Sequence, residues 1–387
     1  MRLKLLSIAL LSMIIFSIAI TGVSTAQKPK VVFLADGLLS VEDAPALVEI
    51  TETITEVEWK VILDSNELTY DVLKDAVMLI YVQVDIDKAI SDTAIEAIKK
   101  WFAEGGKTLW VTGDSDYKGG DFKRIPNANK VLEAVGSHLR NDHAEAVDRE
   151  SNCGGKSYRV AAIIDPNPAL SFLKVDKPVL FHGPGVVAVV TDTGEWKPYY
   201  GKGDEPLPNV YRIARTSDKG AIAEFVEPLP SAYDPGDEGS FTLMAAEYFP
   251  DKDNLVILSV EAPIDHYAPM WKSEYHGVAL AGPEFVKKVI LWGARLYGSM
   301  PKPTTPTATA TTVTVTETKT VTTTITETKT EVKTETVTTT ETVTTTTVSP
   351  TTVTTTVTEV PTMPMIGLGV VIVILVIIIA FLAMKKK

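Results

Sequence analysis

Cysteine is almost missing from this chain. Cys153 has no second thiol to pair with, so no intrachain disulfide braces the fold and stability has to come from packing. Asn-x-Ser/Thr sequons are absent from residues 27–301, which leaves the Thr-rich tract further on as the place for any glycans. Positive charge is also short, with Lys+Arg 37 against Asp+Glu 49. Setting aside Arg2, Lys4, Lys302, three Lys and six Glu of the Thr-rich tract and the three terminal Lys leaves 28 basic against 43 acidic residues, a net near −15. A chain this acidic has no basic face for phosphates, which excludes nucleic acid as a partner and disfavours anionic membrane surfaces. It suits solubility, cationic ligands or metal ions.

Long apolar runs occur only at the two ends. Arg2 and Lys4 precede an apolar stretch from Leu5 to Ile20 and the small residues Gly22 to Ala26, the pattern of a secretory signal over residues 1–26. Met365 to Met384 is unbroken apolar sequence before Lys385-Lys386-Lys387. Its length of about 20 residues matches a bilayer core of roughly 30 Å. The segment 363–387 is therefore expected to be a transmembrane helix, its lysines cytoplasmic. Between it and the folded part, residues 302–362 are mostly Thr with Val, Glu, Lys and Pro, and contain no aromatics. Such a segment buries too little apolar surface to offset chain entropy, so it is read as a disordered, extended stalk. A Thr/Val alternation that pairs as strands between molecules is the competing expectation. The expected layout is a cell-membrane protein with a single span and an external domain, residues 27–301.

Within that domain the first half alternates strand and helix. Lys30 to Ala35, Glu58 to Leu63, Val77 to Val82 and Thr108 to Thr112 read as strands, with helices expected at Val41–Thr53, Thr69–Lys74 and after Ser91. Ser91 is an N-cap, and Ala94, Ile95, Ile98, Trp101 and Phe102 share one helical face before Gly105-Gly106 stops the helix. The pattern predicts an α/β fold, a Rossmann- or flavodoxin-like parallel sheet with helices on both faces. After a helix at Asn127–Val135 the chain becomes strand-rich, which predicts a β-rich C-terminal elaboration. A closing helix at Pro283–Tyr297 is expected to return to the first sheet.

The run from Ile90 to Asp114, with Trp101-Phe102-Ala103-Glu104-Gly105-Gly106-Lys107-Thr108-Leu109-Trp110-Val111-Thr112-Gly113-Asp114 at its heart, resembles the glutamine-amidotransferase-like superfamily. Asn129 to Gly136 and Gly282 to Trp292 fit the same pattern. The resemblance is closer to uncharacterised membrane-associated members and to related domains of gliding-motility transporter components and intraflagellar-transport proteins. It implies a flavodoxin-like fold over most of Lys30 to Tyr297. Catalytic members place a Cys just after the strand that here ends at Thr112-Gly113. This chain has Asp114 and Ser115 there, and Cys153 sits in the polar Ser151–Gly155 with no strand ahead of it. Amidotransferase chemistry is not expected.

Ligands of open α/β sheets collect at the carboxyl ends of strands. Candidate binding residues are therefore Asp36, Gln83, Asp114, Ser115, Asp116, and His266 and Trp271 from the aromatic-rich Asp265–Gly277. Asp114, Asp116 and Asp121 offer oxygens to a divalent cation, but no bidentate Glu closes the loop, so no cofactor is expected. The five histidines, His138, His143, His182, His266 and His276, form no zinc spacing. Gly183-Pro184-Gly185 and Gly201-Lys202-Gly203 lack the strand-to-helix setting of a phosphate loop.

The function expected is a surface-displayed, non-catalytic protein that binds a ligand or partner, such as a receptor serving a membrane permease. A cell-envelope structural role is compatible with the same layout. An extracellular hydrolase would have to gather Asp36, Asp114, Ser115 and His266 at the strand ends.

Overall fold

The computed structural model describes residues 27–117, 123–201, 207–223, 226–264, 267–301, 314–323 and 335–344. The expected signal (1–26) and membrane segment (363–387) lie outside them. Among the described residues no helix is long and apolar enough to cross a membrane. The chain divides into two units, Met1–Pro306 and Thr307–Lys387.

The first unit is built on a nine-stranded mixed sheet. Its parallel half is built from β1 (Lys30–Asp36), β2 (Glu58–Ile62), β3 (Ala76–Gln83) and β4 (Thr108–Thr112); β1, β3 and β4 are apolar runs, while the edge strand β2 alternates exposed Glu58 and Lys60 with more buried residues. Strands buried on both faces need such runs, and β4 is buried at every position. Helices α1 (Pro45–Thr53), α2 (Tyr70–Leu73) and α3 (Asp92–Phe102) make the crossovers. Ser91 Oγ accepts from Ala94 N at 3.1 Å and caps α3, and the buried Trp101 donates Nε1 to Ala76 O at 2.9 Å, fixing α3 on β3.

Helix α4 (Arg124–Ala134) begins a turn before its expected start. The chain then enters a β-rich stretch: β5 (Leu139–Asp142), β6 (Glu145–Asp148), β7 (Arg159–Ile164), β8 (Val179–His182), β9 (Val186–Val190), β10 (Trp196–Pro198), β11 (Val210–Arg215), β12 (Gly220–Ala223), β13 (Glu238–Gly239) and β14 (Thr242–Phe249). Next come β15 (Asn254–Ser259), the short β16 (Glu274–Tyr275) and β17 (Val278–Ala279), and α5 (Gly282–Gly293).

The large sheet has the order β2-β1-β3-β4-β15-β14-β11-β7-β8. Strand β15 runs parallel to β4 and completes a flavodoxin-like order of five parallel strands. The β-rich region is thus an insertion between the fourth and fifth parallel strands, where a C-terminal elaboration had been expected. Four of its strands extend the same sheet in antiparallel fashion. The reason lies in β15: all six of its residues are buried, so it takes a central position beside β4. Helix α5 returns to the parallel half, where a Cβ on Gly293 would stand 2.6 Å from Met78 Sδ and 3.0 Å from Thr108 Cγ2.

In the second unit, β18 (Thr314–Thr323) pairs antiparallel with β19 (Glu335–Thr344) inside one chain. The alternation of Thr with Val runs along both strands of this pair. The rest of the Thr-rich tract lies outside the described residues.

Candidate functional site

The switch point of the parallel half, between β1 and β3, carries Asp36 and Gln83 at its strand ends, and both are occupied by the protein itself. Asp36 is fully buried. Its Oδ1 accepts from Ser65 N at 2.8 Å and pairs with Lys88 Nζ at 2.9 Å. Gln83 donates Nε2 to Asp85 O and Lys88 O, while its Oε1 accepts from Asn127 Nδ2 at 2.7 Å. These groups close the end of the sheet.

The open space lies farther along, beyond the carboxyl ends of β4 and β15. A cavity of about 470 Å³ is lined there by Asp114 and Ser115 after β4, Glu145 on β6, Arg159 on β7, His182 on β8 and Glu261 after β15. Tyr117, Tyr158, Tyr267 and Tyr275 complete much of the wall. This volume falls within the roughly 300–1,000 Å³ of small-molecule sites.

Two hydrogen-bond chains set the floor. Trp110 Nε1 donates to Ser259 Oγ at 2.8 Å, Ser259 Oγ donates to Glu261 O at 2.7 Å, and Glu261 Oε2 accepts from His182 N at 2.6 Å. They tie β4, β15 and β8 together under the pocket. On the other side Asn141 Oδ1 accepts from Asp114 N at 2.8 Å, with Asn141 itself fixed by Asn129. Gly113 permits this close approach, because a Cβ would stand 1.9 Å from Asn141 Oδ1.

Asp114 is ion-paired with Arg124, whose Nε and Nη2 also donate to Gln83 O and Val84 O at 3.1 Å. Ser115 Oγ accepts from Tyr117 N at 3.4 Å, and no base hydrogen-bonds it among the described residues. Cys153 is fully buried, and burial pushes its thiol up, with Arg159 opposing, so it stays a thiol.

Of the residues singled out from sequence, Asp114 and Ser115 line the cavity. Asp116 does not; it is buried, with Oδ2 accepting from Val226 N at 2.6 Å. Trp271 is in the core and donates Nε1 to Glu49 Oε2 at 2.8 Å. His266 and Asp121 lie outside the described residues. Among the described residues, no three His, Cys, Asp or Glu side chains converge as a metal cage.

The pocket's own character comes from side chains that sequence reasoning missed or weighed only singly. The His182 ring stacks on Tyr267 at 5.7 Å and 11°, and meets Tyr158 and Tyr275 edge-on at 5.6 and 5.9 Å. Arg159 lies over Tyr158 and Tyr275, at 5.3 and 5.7 Å from their ring centres. The local signal available was only Tyr158-Arg159 at the start of a strand and the aromatic density of Asp265–Gly277.

No family model matches the sequence, and no curated protein matches it. Among solved structures, a ThuA-like protein from Bacteroides uniformis ATCC 8492 is similar. It shares 12% identity and a TM-score of 0.31, with 62% of this chain and 85% of that one covered. At that identity and TM-score the match carries no argument about fold, ligand or chemistry.

Proposed function

We propose that this protein is a non-catalytic receptor, displayed outside the cell on its C-terminal helix, that takes a small organic molecule into the cavity beyond β4 and β15. The observation that carries this reading is a small-molecule-sized, aromatic-walled cavity beside a strand-end turn whose Asp114 is ion-paired with Arg124. The polar groups around it are held by backbone and partner side chains, as in a preformed binding site. The signal, stalk and anchor read from the sequence make delivery to a membrane permease the partner relationship that suits it best.

The test is thermal melting of the full-length chain in detergent against sugars, carboxylates, amines and nucleosides. A true ligand at a hundredfold excess over its Kd stabilises by about 2.7 kcal/mol. A saturable rise in Tm with one chemical class supports the receptor. No rise with any class would favour the cell-envelope structural role.

A further inference from the structure

The acidic character of this domain makes one cation stand out. Arg124, Arg140, Arg149, Arg212, Arg215 and Arg295 each have a carboxylate oxygen within 4.0 Å. Among the described residues, Arg159 has none, and its Nε is buried without a hydrogen-bond partner. It is nevertheless on the cavity wall.

Its surroundings fix it in place without using its N–H groups. Arg159 is the register partner of His182 across β7 and β8, so the two side chains share one face of the sheet. The rings of Tyr158 and Tyr275 flank the guanidinium, which offsets part of its lost hydration through the ring faces. The Ser151–Gly155 loop closes in beside it: a Cβ on Gly154 would stand 3.4 Å from Arg159 Nη1 and 3.0 Å from His276 Cβ. A guanidinium set against two rings, with no carboxylate on it among the described residues, is suited to a planar anion that accepts two parallel N–H bonds.

We propose that Arg159 is the receptor for the carboxylate of a small organic ligand, the tyrosine and histidine rings receiving its apolar body. This rests on the reading of the cavity as a ligand pocket. A single carboxylate is favoured over phosphate because Glu145 and Glu261 share the wall and repel a dianion more strongly than a monoanion.

The experiment is calorimetric titration of the full-length chain in detergent with a series of monocarboxylates from acetate to benzoate and phenylacetate. Each is run beside its neutral amide, with inorganic phosphate as a further arm. Wild type is expected to bind at least one carboxylate at least tenfold more tightly than its amide. Arg159→Met is expected to lose that difference, and Arg159→Lys to keep part of it. Because the Arg159 side chain makes no hydrogen bond or ion pair among the described residues and keeps only its ring contacts, Arg159→Met without ligand is expected to melt close to wild type. A large fall in its Tm would identify Arg159 as a clamp between two rings and overturn the assignment. Equal binding of acid and amide, undiminished carboxylate binding by Arg159→Met, or binding of phosphate in place of carboxylates would also overturn it. So would the absence of binding by every carboxylate. If neutral ligands still stabilise wild type in the broad screen, the pocket stands and only the role of Arg159 falls; if nothing does, both fall.

Discussion

The guanidinium of Arg124, at the start of α4, closes on the carboxylate of Asp114, two residues past the end of β4. Arg124 is buried and also donates to Gln83 O and Val84 O, so one side chain ties the ends of β3 and β4 together. Replacing it strands a largely buried carboxylate and two carbonyls. Arg124→Met is expected to destabilise by about 3–5 kcal/mol, the cost of breaking a buried ion pair from one side. Urea denaturation checks this; a loss under about 1 kcal/mol would mean that the loop repairs itself with water.

Ser259 is a second joint. Its hydroxyl accepts from Trp110 Nε1 and donates to Glu261 O, all of it away from solvent. Ser259→Ala leaves the indole N–H unsatisfied and should cost about 1–3 kcal/mol in stability. Because Glu261 then loses an anchor beneath the pocket, ligand response should weaken in the same variant. An unchanged melting curve would contradict the arrangement.

Gly113 owes its place to a close approach, not to its backbone angle. A methyl group there overlaps the Asn141 amide, which holds Asp114 N. Gly113→Ala is therefore expected to lose about 1–3 kcal/mol as the loop shifts. Pairing it with Asn141→Ala should return part of the loss, and denaturation of the double variant reads this directly.

Stability should also fall on the alkaline side. Protonated His138 donates to Glu247 Oε1 at 2.5 Å and Asp192 Oδ1 at 3.0 Å, and the Glu247 hydrogen bond, foremost, raises its pKa from 6.5 to about 9. A pKa raised on folding means that the folded state holds the proton more tightly. The contribution is full below pH 6.5 and is lost as pH rises through about 9. Tm measured from pH 6 to 10 should decline over that window, and His138→Gln should flatten the decline. A decline of the same size in the variant would place the cause elsewhere.

How much of this was legible in the sequence depends on how local the interactions are. Strands β1, β3 and β4 could be read because burial on both faces demands apolar runs, β2 from its alternation of polar and apolar residues, and the Ser91-capped α3 because the cap lies three residues from its donor. Strands β5 and β6 were not. Asp142 and Asp148 are fully buried in them, made tolerable by N–H groups of residues 231–233 and Ser217, far along the chain. Asp36 and Gln83 looked like ligand groups because their partners, Ser65, Lys88 and Asn127, come from other elements. Trp271 was drawn to the site by its neighbours in sequence, yet its partner Glu49 sits on α1. The pocket wall itself joins β4, β6, β7, β8 and the residues after β15, a meeting that no single stretch announces.

The central claim is that the cavity, and no other surface, takes the ligand. Ala223 lines it from β12, so a large ring placed there is expected to take up part of the space. The decisive measurement is thermal melting of full-length wild type, Ala223→Trp and the mild control Ala223→Ser against the same ligand panel. The account predicts a saturable rise in Tm for wild type and Ala223→Ser that disappears in a folded Ala223→Trp. An equal rise in Ala223→Trp, or none in wild type, would contradict it.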